Sequence, residues 1–508
     1  MAAQTLPAAI GFLASVREDS GAGLPRRAFA ARGEAAEVRD GFPGSHLVAH
    51  LLHSGAPDGA HAHAGGRAVL LAGELYNRGE LLSLLPDGAA SADDAALVLA
   101  LFARYDRHAF RLLNGRFAAL LVEGGRVVLA TDHAGTVPLY ANVAPGRLLA
   151  ATEVKTLRTA VPGRPLAGTR PVRGLPGTYQ LRAGLVLDVD LGSGACTADH
   201  TWAPPRSRLV LPEDEAVGLV RRSLEGAVHA RLGTATPMVV LSGGIDSSGV
   251  AALAAGRLDD RIDTVSMGTE DADEFAQART VAEHIGSHHS EITIPTDELL
   301  RSLPHAVWAA ETLDPAIVEY LLPLTALYLR IGGGNRRILT GYGADIPLGG
   351  MHREGRLAPL DDAIVSDMDG FDGLNELTPV LSTVAGHWTT HPYWDRAVLD
   401  VLVSLEAGLK SRYGRDKWVL REALADLLPR QTVLRPKLGV HEGSGVSSAF
   451  SEHLVDAGLP HEHLRETKKL YVRELFDLVV VGGRDPDEVE TTTVLERVTE
   501  RLCSKVVR

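Results

Sequence analysis

PMVVLSGGIDSSGVAALAAG, residues 237–256, runs from an apolar β-type segment through a glycine–serine turn into an alanine-rich helical segment. A buried strand that stops at Ser242-Gly243-Gly244 and restarts as a helix leaves several backbone N–H groups without partners at one point. The glycines let that backbone fold tightly, and the helix N-terminus adds partial positive charge, so the turn suits an anion. Ser242, Ser247 and Ser248 add hydroxyl donors. Asp246 repels a phosphate on its own, and a bridging Mg²⁺ is the natural reason for it. The spacing is not that of the GxxxxGK[ST] phosphate loop.

Downstream, apolar β-runs alternate with helical segments: RIDTVSMG (261–268), SEITIP (290–295) and RRILTG (336–341). Such alternation predicts a parallel sheet in a doubly wound α/β domain. Beyond residue 355 helical patterns dominate. Upstream the texture differs. RAVLLAGELYN (67–77), RFAALLVEGGRVVLATD (116–132) and VPLYANVAPGRLLAAT (137–152) are short β-runs between glycine and proline turns. The glycine pair at 124–125 signals a hairpin. One helical pattern, DDAALVLALFARYD (93–106), interrupts these runs, so the N-terminal part reads as mostly antiparallel β layers with a few helices. TWAPPRSRLVLPEDEA (201–216) marks a linker, which places the boundary between 1–204 and 205–508.

A chain of 508 residues exceeds what one core organises, so two or three domains are expected. Hydrophobic residues make up 45% and charged residues 23%, as in soluble globular proteins. A formal net charge of −13 argues against a nucleic-acid partner. Cys196 and Cys503 are the only cysteines, which argues against a disulfide framework, a cysteine metal site and a CxxC redox motif. No basic leader or long apolar span occurs, so a cytoplasmic protein without membrane contact is expected. HAHAGG (61–66) and SHHS (287–290) lack partners at metal-ligand spacing and read as surface or loop histidines.

The SGGxDSS loop resembles that of the ATP-pyrophosphatase superfamily. That likeness implies cleavage of ATP between the α and β phosphates and adenylation of a substrate oxygen. Along nearly the whole chain the layout is similar to asparagine synthetases. The likeness is carried by LAGELYNRGELL (71–82), NGRFA (114–118), TDHAGTVPLY (131–140), GADIPLGG (343–350) and LPRQTVLRPKLGVHEG (428–443). It implies an N-terminal-nucleophile-type amidotransferase-like β-sandwich over 1–204, and an ATP-pyrophosphatase domain followed by helices over 205–508. The departures are informative. Ala2 stands where the family has its nucleophilic cysteine, and Ala72 where it has an oxyanion-hole asparagine. An amidotransferase domain without its chemistry follows, retained for packing or for contacts in a homodimer.

The family's G-E-G-A-D-E reads Gly341-Tyr342-Gly343-Ala344-Asp345-Ile346. With FDGLNE (371–376), HWTTHPYWD (387–395) and RPKLGVHEGSG (435–445), this pattern resembles the β-lactam synthetases of clavulanic acid biosynthesis. The resemblance implies conversion of N2-(2-carboxyethyl)-L-arginine and ATP to deoxyguanidinoproclavaminate, AMP and pyrophosphate. It further implies Tyr342 with Glu376 as the base for ring closure, and Lys437 with Lys417 as the cations at the phosphates and oxyanion. Asp246 and Asp345 would carry Mg²⁺. Ser242, Gly243, Gly244, Ser247 and Ser248 would hold pyrophosphate, while Val240, Leu241 and Met267 form an adenine slot. Tyr320, Gly343, Asp367 and Asp372 would meet the substrate and its guanidinium. Tyr342 and Ile346 argue against an ammonia-dependent asparagine synthetase, and the acidic residues against a carbapenam-forming cyclase. An intact phosphate loop with Asp345 and Lys437 argues against a catalytically dead scaffold.

Overall fold

Two antiparallel sheets fill the first part of the chain. The computed structural model describes residues 6–19, 24, 29, 33–53, 59–86, 93–158, 163–233, 236–270, 272–331, 334–350, 352, 357–370, 377–436, 446–459 and 463–506. Among these, one sheet joins β1 (Gly11–Arg17), β2 (Glu34–Phe42), β3 (Ser45–His53), β8 (Tyr140–Ala144), β9 (Arg147–Ala151), β10 (Thr169–Pro171) and β11 (Tyr179–Leu181), in the order β10-β11-β8-β9-β1-β3-β2. The second joins β4 (His61–Ala64), β5 (Arg67–Leu75), β6 (Gly115–Glu123), β7 (Arg126–Thr131), β12 (Leu185–Asp190) and β13 (Cys196–His200), in the order β13-β12-β7-β6-β5-β4. Glu123 pairs with Arg126, so Gly124 and Gly125 form the two-residue hairpin turn that their sequence signals.

Alternation along the strands explains the layering. Leu70, Ala72, Ala118 and Leu120 face inward and pack with Phe12, Ala14 and Leu51 of the opposite sheet. Val69, Leu71, Ala119 and Leu121 face outward, where helix Asp94–Tyr105 covers them. Both faces of that sheet are therefore apolar. The outer face of the other sheet is covered too: Leu13, Tyr140 and Ala151 share a core with Leu303, Val307, Leu475 and Val479 from helical segments late in the chain.

The C-terminal part is built on five parallel strands: β14 (Met238–Val240), β15 (Asp263–Gly268), β16 (His288–Thr293), β17 (Arg337–Leu339) and β18 (Trp388–Thr390), in the order β16-β15-β14-β17-β18. The chain starts at β14, winds outward through β15 and β16, and returns to β17 on the other side. Loops after β14 and β17 therefore diverge, and the crevice between them is where doubly wound sheets bind ligands. Strand β18 was not foreseen from sequence. Three buried residues carry no period that separates strand from helix.

A buried ion pair ties the sandwich to this sheet. Both guanidinium Nη atoms of Arg337 on β17 donate to the Glu74 carboxylate at 2.8 Å, while Trp388 Nε1 and the Tyr76 hydroxyl donate to it at 2.9 and 3.0 Å. Burial pushes the Glu74 carboxyl up, but the Arg337 charge and these donors outweigh it and hold the pKa at about 2. Glu74→Gln leaves Arg337 buried without its counter-charge and should cost about 3–5 kcal/mol in denaturant titrations. Because the folded pKa is depressed, the pair's contribution is complete above the ordinary carboxylate value of 4.5. It is lost as pH falls toward 2, and the variant's deficit should shrink over that interval.

Candidate active site

The loop after β14 folds on its own hydroxyls. Ser242 N donates to Ser247 Oγ at 3.1 Å, and Gly244 N donates to Ser242 Oγ at 3.4 Å. Helix Ile245–Ala255 starts immediately after, so its N-terminus lies at the end of the sheet. Ser248 Oγ and Asp246 Oδ1 are buried without hydrogen-bond partners.

Across the crevice, the turn after β17 presses on this loop. A Cβ at Gly341 would lie 2.3 Å from Ser247 N and 2.6 Å from the Asp246 carbonyl carbon, so only glycine allows the approach. Gly343 has φ +86°, and a Cβ there would overlap the Trp394 indole at 1.5 Å. The two glycines seat the turn between the phosphate loop and Trp394, which leaves Tyr342 to project between them.

Asp345 and Asp246 meet at one cation. The buried Lys417 ammonium lies 2.5 Å from Asp246 Oδ2 and 2.8 Å from Asp345 Oδ1. Lys417 itself sits in the left-handed region, φ 51°, at the start of helix Trp418–Ala423. The donor set suits Mg²⁺, which binds through one or two carboxylates and completes its octahedron with phosphate oxygens and water. The unpartnered Asp246 Oδ1 fits that use. Arg435 donates to the Ser242 carbonyl at 3.4 Å and pairs with Glu274, which places another cation beside the loop.

Tyr342 is half-buried. Its ring meets Tyr320 edge-on at 5.3 Å and the His391 imidazole at 5.4 Å. Thr340 Oγ1 bonds His391 Nδ1 at 2.6 Å and accepts the Tyr342 backbone N–H at 3.3 Å. Burial, and then the charges of Arg116 and Arg231, push the His391 pKa well below its ordinary value, so the imidazole is neutral.

The residues singled out from sequence therefore separate into groups. The structure gathers Ser242, Gly243, Gly244, Asp246, Ser247, Ser248, Tyr342, Gly343, Asp345 and Lys417 at the β14–β17 crevice, with Tyr320 against Tyr342. Val240, Leu241 and Met267 lie at the ends of β14 and β15, where the Leu241 N–H is already bonded to the Val265 carbonyl at 2.8 Å. Asp367 lies on helix Leu357–Gly370 and bonds His352 Nε2 at 2.6 Å. Asp372, Glu376, Lys437 and Ala2 lie outside the described residues. Thr340, His391, Trp394 and Arg435 were missed. HWTTHPYWD and RPK pointed to their neighbourhood, but the pairings are distant in the chain: Thr340 and His391 are 51 residues apart.

A family model described as asparagine synthase matches residues 219–367 and 381–492, and one described as a glutamine amidotransferase domain matches 53–159. A carboxyethyl-arginine beta-lactam-synthase from Streptomyces clavuligerus is 58% identical over 99% of this chain and 99% of its own length. Glutamine-hydrolysing asparagine synthetases are more distant. The one from Asparagus officinalis is 25% identical over 80% of this chain and 73% of its own. The one from Rattus norvegicus is 27% identical over 81% of each. No helix among the described residues is long and apolar enough to cross a membrane.

Proposed function

The chain belongs to the asparagine synthase family, and on that premise we infer that it is an ATP-dependent β-lactam synthetase acting on N2-(2-carboxyethyl)-L-arginine. The observation that carries this reading is Tyr342. It stands where the amide-forming relatives' motif has glutamate, in a turn pressed against the phosphate loop.

In the first half-reaction a β-carboxylate oxygen attacks the α-phosphorus and pyrophosphate leaves. The loop amides and the Ser242, Ser247 and Ser248 hydroxyls are suited to hold the departing group. Asp246 and Asp345 would hold Mg²⁺, which when bound would supply charge neutralisation at the phosphates. Lys417, between Asp246 and Asp345, would follow that charge as it develops, and Lys437 would share the task.

In the second half-reaction the substrate's own secondary amine attacks the acyl carbon. The new C–N bond closes a four-membered ring, and the C–O bond to AMP breaks. Tethering makes the attack intramolecular, so no external ammonia is needed. The amine loses its proton to Tyr342, whose basicity Glu376 raises by accepting from the phenol. A glutaminase is superfluous to this chemistry, which agrees with Ala72 in the sandwich.

Incubation with the carboxyethyl-arginine, ATP and Mg²⁺ should yield AMP, pyrophosphate and the β-lactam, and no glutamate should form from added glutamine. Release of ADP, or turnover only with aspartate and ammonia, would overturn the assignment.

A further inference from the structure

Two segments that resemble motifs of glutamine-hydrolysing relatives reach across to the parallel sheet. Trp388, on β18 of the parallel sheet, is fully buried in the core of the N-terminal sandwich. The Arg116 guanidinium, from the NGRFA segment, stacks 5.3 Å from its ring and donates to the carbonyls of Thr389 and Leu377. Tyr76, from the LAGELYN segment, bonds Thr390 Oγ1 at 2.9 Å. All three residues of β18 are thus held from the sandwich.

The next residue is His391. Its Nδ1 bonds Thr340 Oγ1 at 2.6 Å, and the Leu377 carbonyl that Arg116 grips acts on the same imidazole. Thr340 in turn accepts the Tyr342 amide. An unbroken chain of contacts therefore runs from Arg116 through β18 and His391 to the turn that carries the phenol.

We propose that Arg116, His391 and Thr340 are positioning residues, through which the N-terminal sandwich fixes Tyr342 for ring closure. The proposal rests on the β-lactam synthetase reading. It gives the disarmed domain a task in the second half-reaction and none in the first. Its link to the phosphate loop is the β17 turn itself, where Gly341 lies against Asp246 and Ser247.

The test separates the half-reactions. Substrate-dependent ATP–pyrophosphate exchange reports adenylation, and product formation reports ring closure. Thr340→Val keeps the shape but removes the hydroxyl. It should slow ring closure about 100-fold, the scale of a misplacement near 1 Å, while exchange falls much less. Thr340→Ser, which keeps the hydroxyl, should recover most of the rate, and His391→Gln should resemble Thr340→Val. Arg116→Lys, which loses the forked contact, should show the same split. A merely structural role predicts that exchange and ring closure fall together and that Ser does not rescue Val; either result overturns the proposal. Should the wild-type enzyme itself make no β-lactam, the functional reading fails instead, and the two failures are distinguishable.

Discussion

If Tyr342 is the base, replacing it with phenylalanine should slow ring closure by about 10²–10⁴-fold, the contribution of a positioned general base, and leave adenylation in place. The ring itself has a packing role against Tyr320 and His391, at 5.3 and 5.4 Å, and phenylalanine preserves it. Gly341 and Gly343 on either side seat the turn by close approach to Ser247 N and to the Trp394 indole. Nucleotide binding therefore stays intact, and the acyl-adenylate accumulates or hydrolyses. Rapid-quench analysis of a single turnover measures both species. Loss of ATP binding in the variant would show that the phenol shapes the nucleotide pocket and would remove Tyr342 from base catalysis.

Lys417→Met should have the opposite profile: adenylation falls by about 10³-fold or more, since a buried cation at the site of developing phosphate charge is lost. Its ammonium is wedged between Asp246 and Asp345 at 2.5 and 2.8 Å with no exposure to solvent. Removing it leaves two carboxylates facing each other in a buried crevice, a change worth about 3–5 kcal/mol of stability. The melting temperature should drop accordingly. Mg²⁺ alone, without nucleotide, should restore more of that loss in the variant than it adds to the wild type, because the ion replaces the missing positive charge. Retention of exchange, or a melting temperature indifferent to Mg²⁺, would refute this account of Lys417.

The sequence carried the parts of this molecule whose signals are local. The strand–loop–helix at 237–256 and the Gly124-Gly125 hairpin are set by neighbours within a few residues. The crevice between β14 and β17 follows from the alternating pattern once the sheet is parallel. Interactions between distant segments were less accessible. Lys417 reaches Asp246 across 171 residues, and nothing near GRDKWVLR announces that its ammonium is buried. Trp388 looks like an ordinary aromatic of a short stretch, yet it lies in the core of the N-terminal sandwich. Glu74 reads as part of a motif borrowed from glutamine hydrolysis, whereas its carboxylate is committed to Arg337.

The shared core along the outer face of the seven-stranded sheet bears on how such a protein can change over generations. Leu13, Tyr140 and Ala151 are covered by side chains from segments near residues 303–310 and 470–480, so neither part has a finished surface of its own. Shortening the gene at the linker would expose an apolar face on each product and invite aggregation. A single alanine such as Ala72, buried within the sandwich, leaves that shared face covered. Single residues of the first part can therefore vary, whereas cutting the whole of it away bares the apolar face it shares with the second.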